Sequence, residues 1–325
     1  MAHQDLVDIC IVTWNRLPLT RACIESVVAH TRHPHRIFVA DNGSDDGTAD
    51  YLRDLHARGV IHRLFLFEKN VGVAPASNTM WEASDAPFYL KLDNDIEVLR
   101  EGWLGDMVRL HRDNPEAKLL AYSFQRQFYG VTYPIVELSG GGRAQDPRPH
   151  NIGGATVLVP QRTHEMLGFW CEDYAPYSDE DTDYSFRAVY DGLRPFYMER
   201  TDMLKHLYLK STDQHDAGEY RTFKSSHRRR QKEEFSAFTI NTLMYELQQR
   251  SLKMRRRFDS VVQSDGVTVR LSPNRDYYAK EMSRVRGFRE ELARGGRLAA
   301  LVTAHQAQKL AIINSSSLQI AAQQV

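Results

Sequence analysis

The sequence predicts an α/β protein, a parallel sheet with helices on both faces. Two observations carry this. Short apolar runs near residues 6–12, 37–40, 64–67 and 88–92 alternate with stretches in which apolar residues recur at helical spacing. The loops between them are short and polar, and such alternation means parallel strands joined by crossover helices. A third observation marks the end of the sheet that matters. The fourth run leads into Asp93-Asn94-Asp95, two carboxylates separated by one residue, and open α/β sheets bind ligands at the carboxyl ends of their strands.

Taken in order, Leu6-Val7-Asp8-Ile9-Cys10-Ile11-Val12 is the first strand and Thr13-Trp14-Asn15-Arg16 a polar loop. Pro18 suits a first helical turn, and Leu19, Ala22, Cys23, Ser26 and Val27 continue that helix. Ile37-Phe38-Val39-Ala40 is the second strand, followed by the turn-rich Asp41-Asn42-Gly43-Ser44-Asp45-Asp46-Gly47-Thr48. A helix opened by Thr48 or Asp50 ends at Gly59. Leu64-Phe65-Leu66-Phe67 is the third strand. Asn70-Val71-Gly72-Val73-Ala74 is a loop, and Pro75 begins a helix reaching about Ala83. Asn42 and Gly47 read as turn residues.

Past Asp95, a helix over residues 103–111 is stopped by Asp113-Asn114-Pro115. Residues 119–159 are irregular, with strands near 119–124, 131–138 and 155–159, and Gly140-Gly141-Gly142 as a flexible joint. A short helix over 162–168 follows. The next helix is opened by Asp179-Glu180-Asp181-Thr182-Asp183 and closed by Gly192, with Asp183 and Arg187 spaced to pair. A strand over 195–198 and the segment 205–212 complete this part.

A chain of 325 residues holds one large α/β domain and something smaller. The composition shift near residue 215 suggests an α/β domain over 1–215, with halves 1–100 and 101–215, and a mostly helical, basic region over 216–325. Lys+Arg and Asp+Glu number 42 each, so no cationic excess points to nucleic acid. Cys10, Cys23 and Cys171 are few, odd in number and not in a C-x-x-C spacing. That argues for a reducing compartment and against structural zinc. The first residues do not form a basic and then apolar leader. No apolar run approaches the roughly 20 residues of a membrane span. A cytoplasmic protein is expected, with peripheral contact at the inner face of a membrane left open. The first loop lacks G-x-G-x-x-G and no G-x-x-x-x-G-K-[ST] occurs, which argues against nicotinamide, flavin and P-loop chemistry.

The carboxylates of Asp93 and Asp95 suit a hard divalent cation, and that cation suits a diphosphate. The plainer reading is an Asx turn that ends a strand. The acids from Asp179 to Asp183 sit where a helix start favours negative charge. They are either first-turn stabilisers or a source of a general base.

Four pieces then line up: Ile11-Val12-Thr13-Trp14-Asn15-Arg16, Val39-Ala40-Asp41-Asn42-Gly43-Ser44-Asp45-Asp46-Gly47-Thr48, Leu92-Asp93-Asn94-Asp95 and Glu180-Asp181-Thr182-Asp183. In this order and spacing they resemble family 2 glycosyltransferases of the GT-A fold over roughly residues 6–212. More loosely, residues 180–187 and His206 are similar to the bacterial galactofuranosyl and rhamnosyl transferase branch.

The resemblance implies an inverting, metal-dependent transfer from a nucleotide sugar, most simply a UDP-sugar, to a glycan, glycolipid or other hydroxyl acceptor. It implies Asp95 as direct metal ligand, with Asp93 touching the metal through water or holding the ribose. Asn94 lies between them. His206 completes the metal site, with His215 as the alternative, and the ligand set favours Mn2+ with Mg2+ usable. Asp41 is expected to accept a hydrogen bond from the base, beside Thr13, Trp14 and Asn15, while Asn70 and Gly72 shape the loop under the nucleotide. Asp181 matches the general base and Glu180 an acceptor-hydroxyl contact. Many relatives carry an arginine in the loop after Gly72. Here it reads Val-Ala-Pro-Ala-Ser-Asn, leaving Lys69, Lys91 or a later arginine to meet the diphosphate. Residues 119–152 match nothing in the family, so acceptor identity is not legible.

Residues 221–257 hold eleven lysines or arginines against three glutamates and read as helical, with Phe235, Phe238, Leu243, Met244 and Leu247 near helical spacing. The clusters 227–230 and 253–257 are either solvated helix faces or contacts for acidic headgroups or an acidic polysaccharide. A break at 264–273, where Val267, Val269 and Leu271 alternate, precedes two further helices near 275–294 and 297–314. Leu298, Leu301, Val302, Leu310, Ile312 and Ile313 could pack on the domain or on a second subunit. Two other readings remain. A nucleotidylyltransferase would want a G-x-G-T-R loop where Thr13-Trp14-Asn15-Arg16 stands. A silent nucleotide- or glycan-binding scaffold would have lost the acidic pair or Asp181.

Overall fold

Apolar residues that alternate along the strands send side chains to two separate cores. The computed structural model describes residues 2–148, 150–174, 177, 179–207, 236–296, 298–301 and 303–304. The chain divides into two units, Met1–Arg228 with Leu252–Asn274, and Arg229–Ser251 with Arg275–Val325. Among the described residues no helix is long and apolar enough to cross a membrane.

The first unit begins as its sequence pattern dictates. It runs β1 (Val7–Thr13), α1 (Leu17–His30), β2 (His35–Asp41), α2 (Thr48–Ala57), β3 (Arg63–Phe67), α3 (Val73–Glu82) and β4 (Phe88–Asp93). Then come β5 (Ile96–Val98), α4 (Trp103–Asp113), β6 (Leu120–Ala121), α5 (Gln125–Tyr129), β7 (Ile135–Glu137), β8 (Arg143–Gln145), β9 (Thr156–Pro160) and α6 (Gln161–Leu167). The set ends with α7 (Glu180–Tyr190), β10 (Phe196–Met198), β11 (Leu204–His206), β12 (Phe258–Val262) and β13 (Thr268–Pro273).

These strands form a sheet ordered β12-β13-β3-β2-β1-β4-β9-β6-β10-β8-β7, with β11 and β5 as a separate pair. β1 pairs in parallel with both β2 and β4, so the strand order reverses direction between β1 and β4, where such sheets open a crevice. β9 runs antiparallel to β4, making the sheet mixed. On one face Ile9, Ile11, Val39 and Leu92 pack with Cys23, Leu52, Trp103 and Met107. On the other, Cys10, Ala40 and Tyr89 pack with Met80, Leu167 and Tyr184. The period-two alternation of each strand thus meets helices on both sides.

Several expectations need correction. The glycines at 140–142 are not a flexible joint. Gly140 and Gly142 donate their N–H groups to Asn114 Oδ1 at 2.9 and 3.3 Å, and Leu138 N–H bonds the Gly142 carbonyl at 2.7 Å. A Cβ on Gly142 would come within 2.5 Å of Leu110, so the tight approach requires glycine there.

The basic stretch near 250 is not one helix. The helix α8 (Ala237–Glu246) stops early, and residues 252–274 return to the first unit, where β13 adds beside β3. The predicted boundary at 215 therefore does not match the division of the fold. The cluster 253–257 is not a free polybasic face either. Arg256 is buried, with Nε 2.7 Å from Glu172 Oε1 and Nη1 2.7 Å from Glu82 Oε2. Glu172 also accepts from the N–H groups of Arg257 and Phe258. The cluster 227–230, His215, and the residues Val302, Leu310, Ile312 and Ile313 lie outside the described residues.

In the second unit, Ser236 caps α8 by accepting from Thr239 N–H at 3.2 Å. A helical stretch from Arg275–Tyr277 passes through a π-turn at Tyr278–Met282 into α9 (Ser283–Ala293). Ile240, Leu243, Met244, Val285, Phe288, Leu292 and Leu298 form its core.

The predicted Asp183–Arg187 pair forms and is fully buried. Arg187 donates to Asp183 and to the carbonyls of Leu167, Phe169 and Leu252, and Tyr174 donates to the other Asp183 oxygen at 2.9 Å. This knot fixes α7. Arg187→Met should lower the unfolding free energy by about 3–5 kcal/mol, because it strands a buried charge. Loss of the exposed Arg21–Glu25 pair should cost under about 0.5 kcal/mol. Urea unfolding of both variants separates the two cases.

Candidate active site

Strand register brings the candidate residues to one edge. Thr13 lies opposite Asp41, and Val12 opposite Asp93. Thr13 Oγ1 donates to Asp41 Oδ1 at 2.8 Å. Ser44 donates to the same carboxylate from its N–H at 2.9 Å and its hydroxyl at 2.5 Å. The Asn15 N–H reaches Ser44 Oγ at 2.7 Å, and Asn15 Oδ1 accepts from Asp45 N–H at 2.9 Å. Asp41 is 1% exposed and both its oxygens already accept hydrogen bonds. Through these bonds it holds the two loops in shape.

Asn42, read as a turn residue, is also structural. It is buried and bridges to the next loop, through Gly72 O and Val71 N–H. Asn70 Oδ1 accepts from Gly72 N–H at 2.9 Å, which sets that loop as anticipated. Trp14 is half-buried and belongs to neither core.

At the end of β4 the two aspartates part company. Asp93 Oδ1 accepts from Lys91 Nζ at 2.6 Å. Asp95 Oδ2 accepts from Arg16 Nη1 at 3.2 Å, while Arg16 Nη2 donates to Asn94 Oδ1 at 2.9 Å. Asn94 in turn donates to Thr20 Oγ1 at 2.9 Å, which anchors the turn to α1. Asp95 Oδ1 is buried with no hydrogen-bond partner and lies 3.8 Å from His206 Nε2. A buried carboxylate oxygen left unbonded is costly. A carboxylate and an imidazole at this separation fit one divalent cation shared between them. Among the described residues no group of three His, Cys, Asp or Glu side chains gathers to hold a metal. Two protein ligands suit a cation that keeps its other positions for water and phosphate oxygens.

On the far side of Lys91 sit the acids of α7. Lys91 Nζ also donates to Gly154 O, and Gly154 N–H donates to Asp181 Oδ2 at 2.8 Å. Asp181 Oδ1 accepts from Thr182 N–H at 2.7 Å. A Cβ on Gly154 would fall 3.0 Å from Asp181 Cβ and 3.3 Å from Lys91 Nζ, so glycine lets these groups meet. Burial and the neighbouring Asp181 charge push the Glu180 carboxyl up to about 7, against the pull of Lys91. Burial alone would lower the Lys91 ammonium, but Asp93, Glu180 and Asp181 outweigh it and raise the group above its ordinary range.

The structure thus joins Asp95 to His206, and Asp93 to Asp181 through Lys91 and Gly154. It shows a cation the sequence reading passed over: Arg16, beside Asp95. The signal was there in Thr13-Trp14-Asn15-Arg16, but Arg16 reaches Asp95 across 79 positions, which no local pattern reveals. Lys69 is exposed, and Lys91 is committed to Asp93. A cavity of about 320 Å³ lined by Asp106, Arg109, Tyr122, Arg143 and Arg200 includes none of these residues.

Residues 8–154 match the sequence model of glycosyl transferase family 2. Over that stretch the chain is similar to family 2 glycosyltransferases. No curated protein matches the sequence. The mannosyltransferase PcManGT from Pyrobaculum calidifontis, solved with GDP-Man and Mn2+, superposes with a TM-score of 0.51 at 14% identity, over 97% of this chain and 84% of that one. At that identity the likeness shows the fold, which is GT-A. S. aureus TarS 1–349 with UDP-GlcNAc gives a TM-score of 0.49 at 14% identity, over 65% of this chain and 60% of that chain. Against S. aureus TarS the score is 0.46 at 14% identity; 60% of this chain is covered, and it spans 35% of the TarS chain.

The raised Glu180 carboxyl has a signed consequence. Between its ordinary value of 4.5 and about 7, the folded state holds a proton that the unfolded state has released. Stability therefore falls as pH rises through this window. Glu180→Gln should flatten that stretch of the profile, measured as urea midpoints from pH 4.5 to 8.

Proposed function

We propose that this glycosyltransferase is inverting and metal-dependent, and that it moves a sugar from a nucleotide diphosphate donor, first of all a UDP-sugar, to a hydroxyl of a glycan or glycolipid. The observation that carries the reading is Asp95 Oδ1, buried, unbonded and 3.8 Å from His206 Nε2. Asp95 and His206 would hold Mn2+ or Mg2+, which as a Lewis acid would neutralise the departing diphosphate. Arg16 adds a second positive charge beside Asp95, in place of the arginine absent after Gly72.

Asp93, 39% exposed on its side chain and steadied by Lys91, offers oxygen to the ribose. Thr13, Asn15, Asn70 and Gly72 shape the nucleotide site, and Asp41 supports it from beneath. Asp181 is the base. The acceptor oxygen bonds to the anomeric carbon, the bond from that carbon to the diphosphate oxygen breaks, and the acceptor proton passes to the Asp181 carboxylate. Gly154 and Thr182 aim that carboxylate. Glu180, protonated in part at neutral pH, can both donate to and accept from an acceptor hydroxyl.

The first test is donor binding, with UDP-, GDP- and dTDP-sugars compared by thermal shift with and without Mn2+. The GDP-Man bound by the fold neighbour keeps GDP-sugars in the panel. A GDP preference overturns the UDP assignment, and indifference to metal overturns the metal site. Asp95→Ala should abolish metal-dependent donor binding. Asp181→Asn should keep donor binding but lose about 10²–10⁴-fold in transfer, as loss of a positioned base implies; near-normal turnover would mean that the base lies elsewhere.

A further inference from the structure

The strand that presents His206 is short, and among the described residues it has a strand on one side only. β11 pairs with β5 in antiparallel register, Lys205 opposite Glu97 and His206 opposite Ile96. The flanking bonds run from Leu207 N–H to Asp95 O at 2.7 Å and from Leu99 N–H to Met203 O at 2.9 Å. In such a ladder alternate residues point their backbone groups to opposite sides, so the N–H and C=O of His206 face away from β5. There they meet one side chain. His206 N–H donates to Gln127 Oε1 at 2.9 Å, and Gln127 Nε2 donates to His206 O at 2.5 Å. A single amide replaces the missing strand. The imidazole is also walled by aromatic rings of the same segment, Phe124 at 5.5 Å and Phe128 at 5.1 Å between centroids, both edge-on.

We propose that Gln127, with Phe124 and Phe128, positions His206 for the metal, so that α5 tunes cation affinity without touching the cation. The inference rests on the metal-site reading above. Fixing a ligand in its bound pose removes an ordering cost from binding, and loss of such outer partners typically weakens metal affinity about 10–100-fold.

The test measures Mn2+ binding by electron paramagnetic resonance on the full chain with UDP present, in the wild type, Gln127→Met and His206→Ala. Methionine keeps the bulk of Gln127 and removes both hydrogen bonds. Gln127 is exposed, so the melting temperature and the metal-free affinity for UDP should stay near wild type. Mn2+ affinity should fall about tenfold or more, and hydrogen exchange at the His206 amide should speed up in the metal-free protein. Wild-type Mn2+ affinity in Gln127→Met, alongside its loss in His206→Ala, would overturn the clamp and leave the metal site standing. Retained Mn2+ binding in His206→Ala would instead remove the metal site and this inference with it. A Gln127→Met protein that melts early and loses metal-free UDP binding would make the residue a general prop of the fold, and would also overturn the proposal.

Discussion

Charge compensation where β4 ends is the constraint on which the rest depends. Asp93 and Asp181 are joined through Lys91 and Gly154, and Asp95 lies two residues past Asp93, buried beside Arg16. Such a cluster is tolerable only if cations are interleaved. Lys91 separates Asp93 from Asp181, and Arg16 covers one side of Asp95. Both cations come from the sheet edge itself, one from inside β4 and one from the loop after β1. The parallel pairing of β1 with β4 is what brings them into range. Among the described residues the remaining Asp95 oxygen has no hydrogen-bond donor, and it is this local deficit of positive charge that a divalent cation would fill.

The compensation also separates two jobs. Asp93 and Asp95 look equivalent as a motif, though only Asp95 was expected to touch the metal directly. In three dimensions Lys91, two residues before Asp93 on an extended strand, shares its face and binds it. Asp95 lies past the turn and faces His206. Asp93 therefore communicates with the acids of α7, and Asp95 with β11. Burial beside Asp181 pushes the Glu180 carboxyl up.

The alternating first hundred residues were legible because each strand and helix there obeys a local period, and the polar strand ends are where the sheet order makes them converge. The Asp183–Arg187 pair was legible for the same reason, being four apart on one helix. Residues 119–152 were not, because their order comes from distant partners: Asn114 for the glycine turn, His206 for Gln127. The acids paired with the basic run near 253–257, Glu82 and Glu172, lie more than 80 positions earlier, and the run is not a helix. Charge counted along the chain says nothing about such pairing. Arg256 bonds carboxylates inside the unit that holds the sheet, so this cluster does not offer its full charge to a lipid or polyanion.

The same distance argument explains why the site can be strict at one end and variable at the other. The end that carries Thr13, Asp41 and Asp93 is built from β1, β2 and β4, whose register is fixed by continuous parallel pairing over six or seven residues each. A one-residue slip there would turn every core side chain outward. The α5 and β7–β8 segment hangs on strands of two or three residues and on side-chain contacts such as Gln145 with the Met198 carbonyl at 2.8 Å. Little core is lost when such a segment changes, so its residues are free to follow the demands of a substrate. That freedom is also why His206, at the border between the two regimes, needs a side chain to hold its backbone: among the described residues, the short strand that carries it has no sheet neighbour on that side to do so.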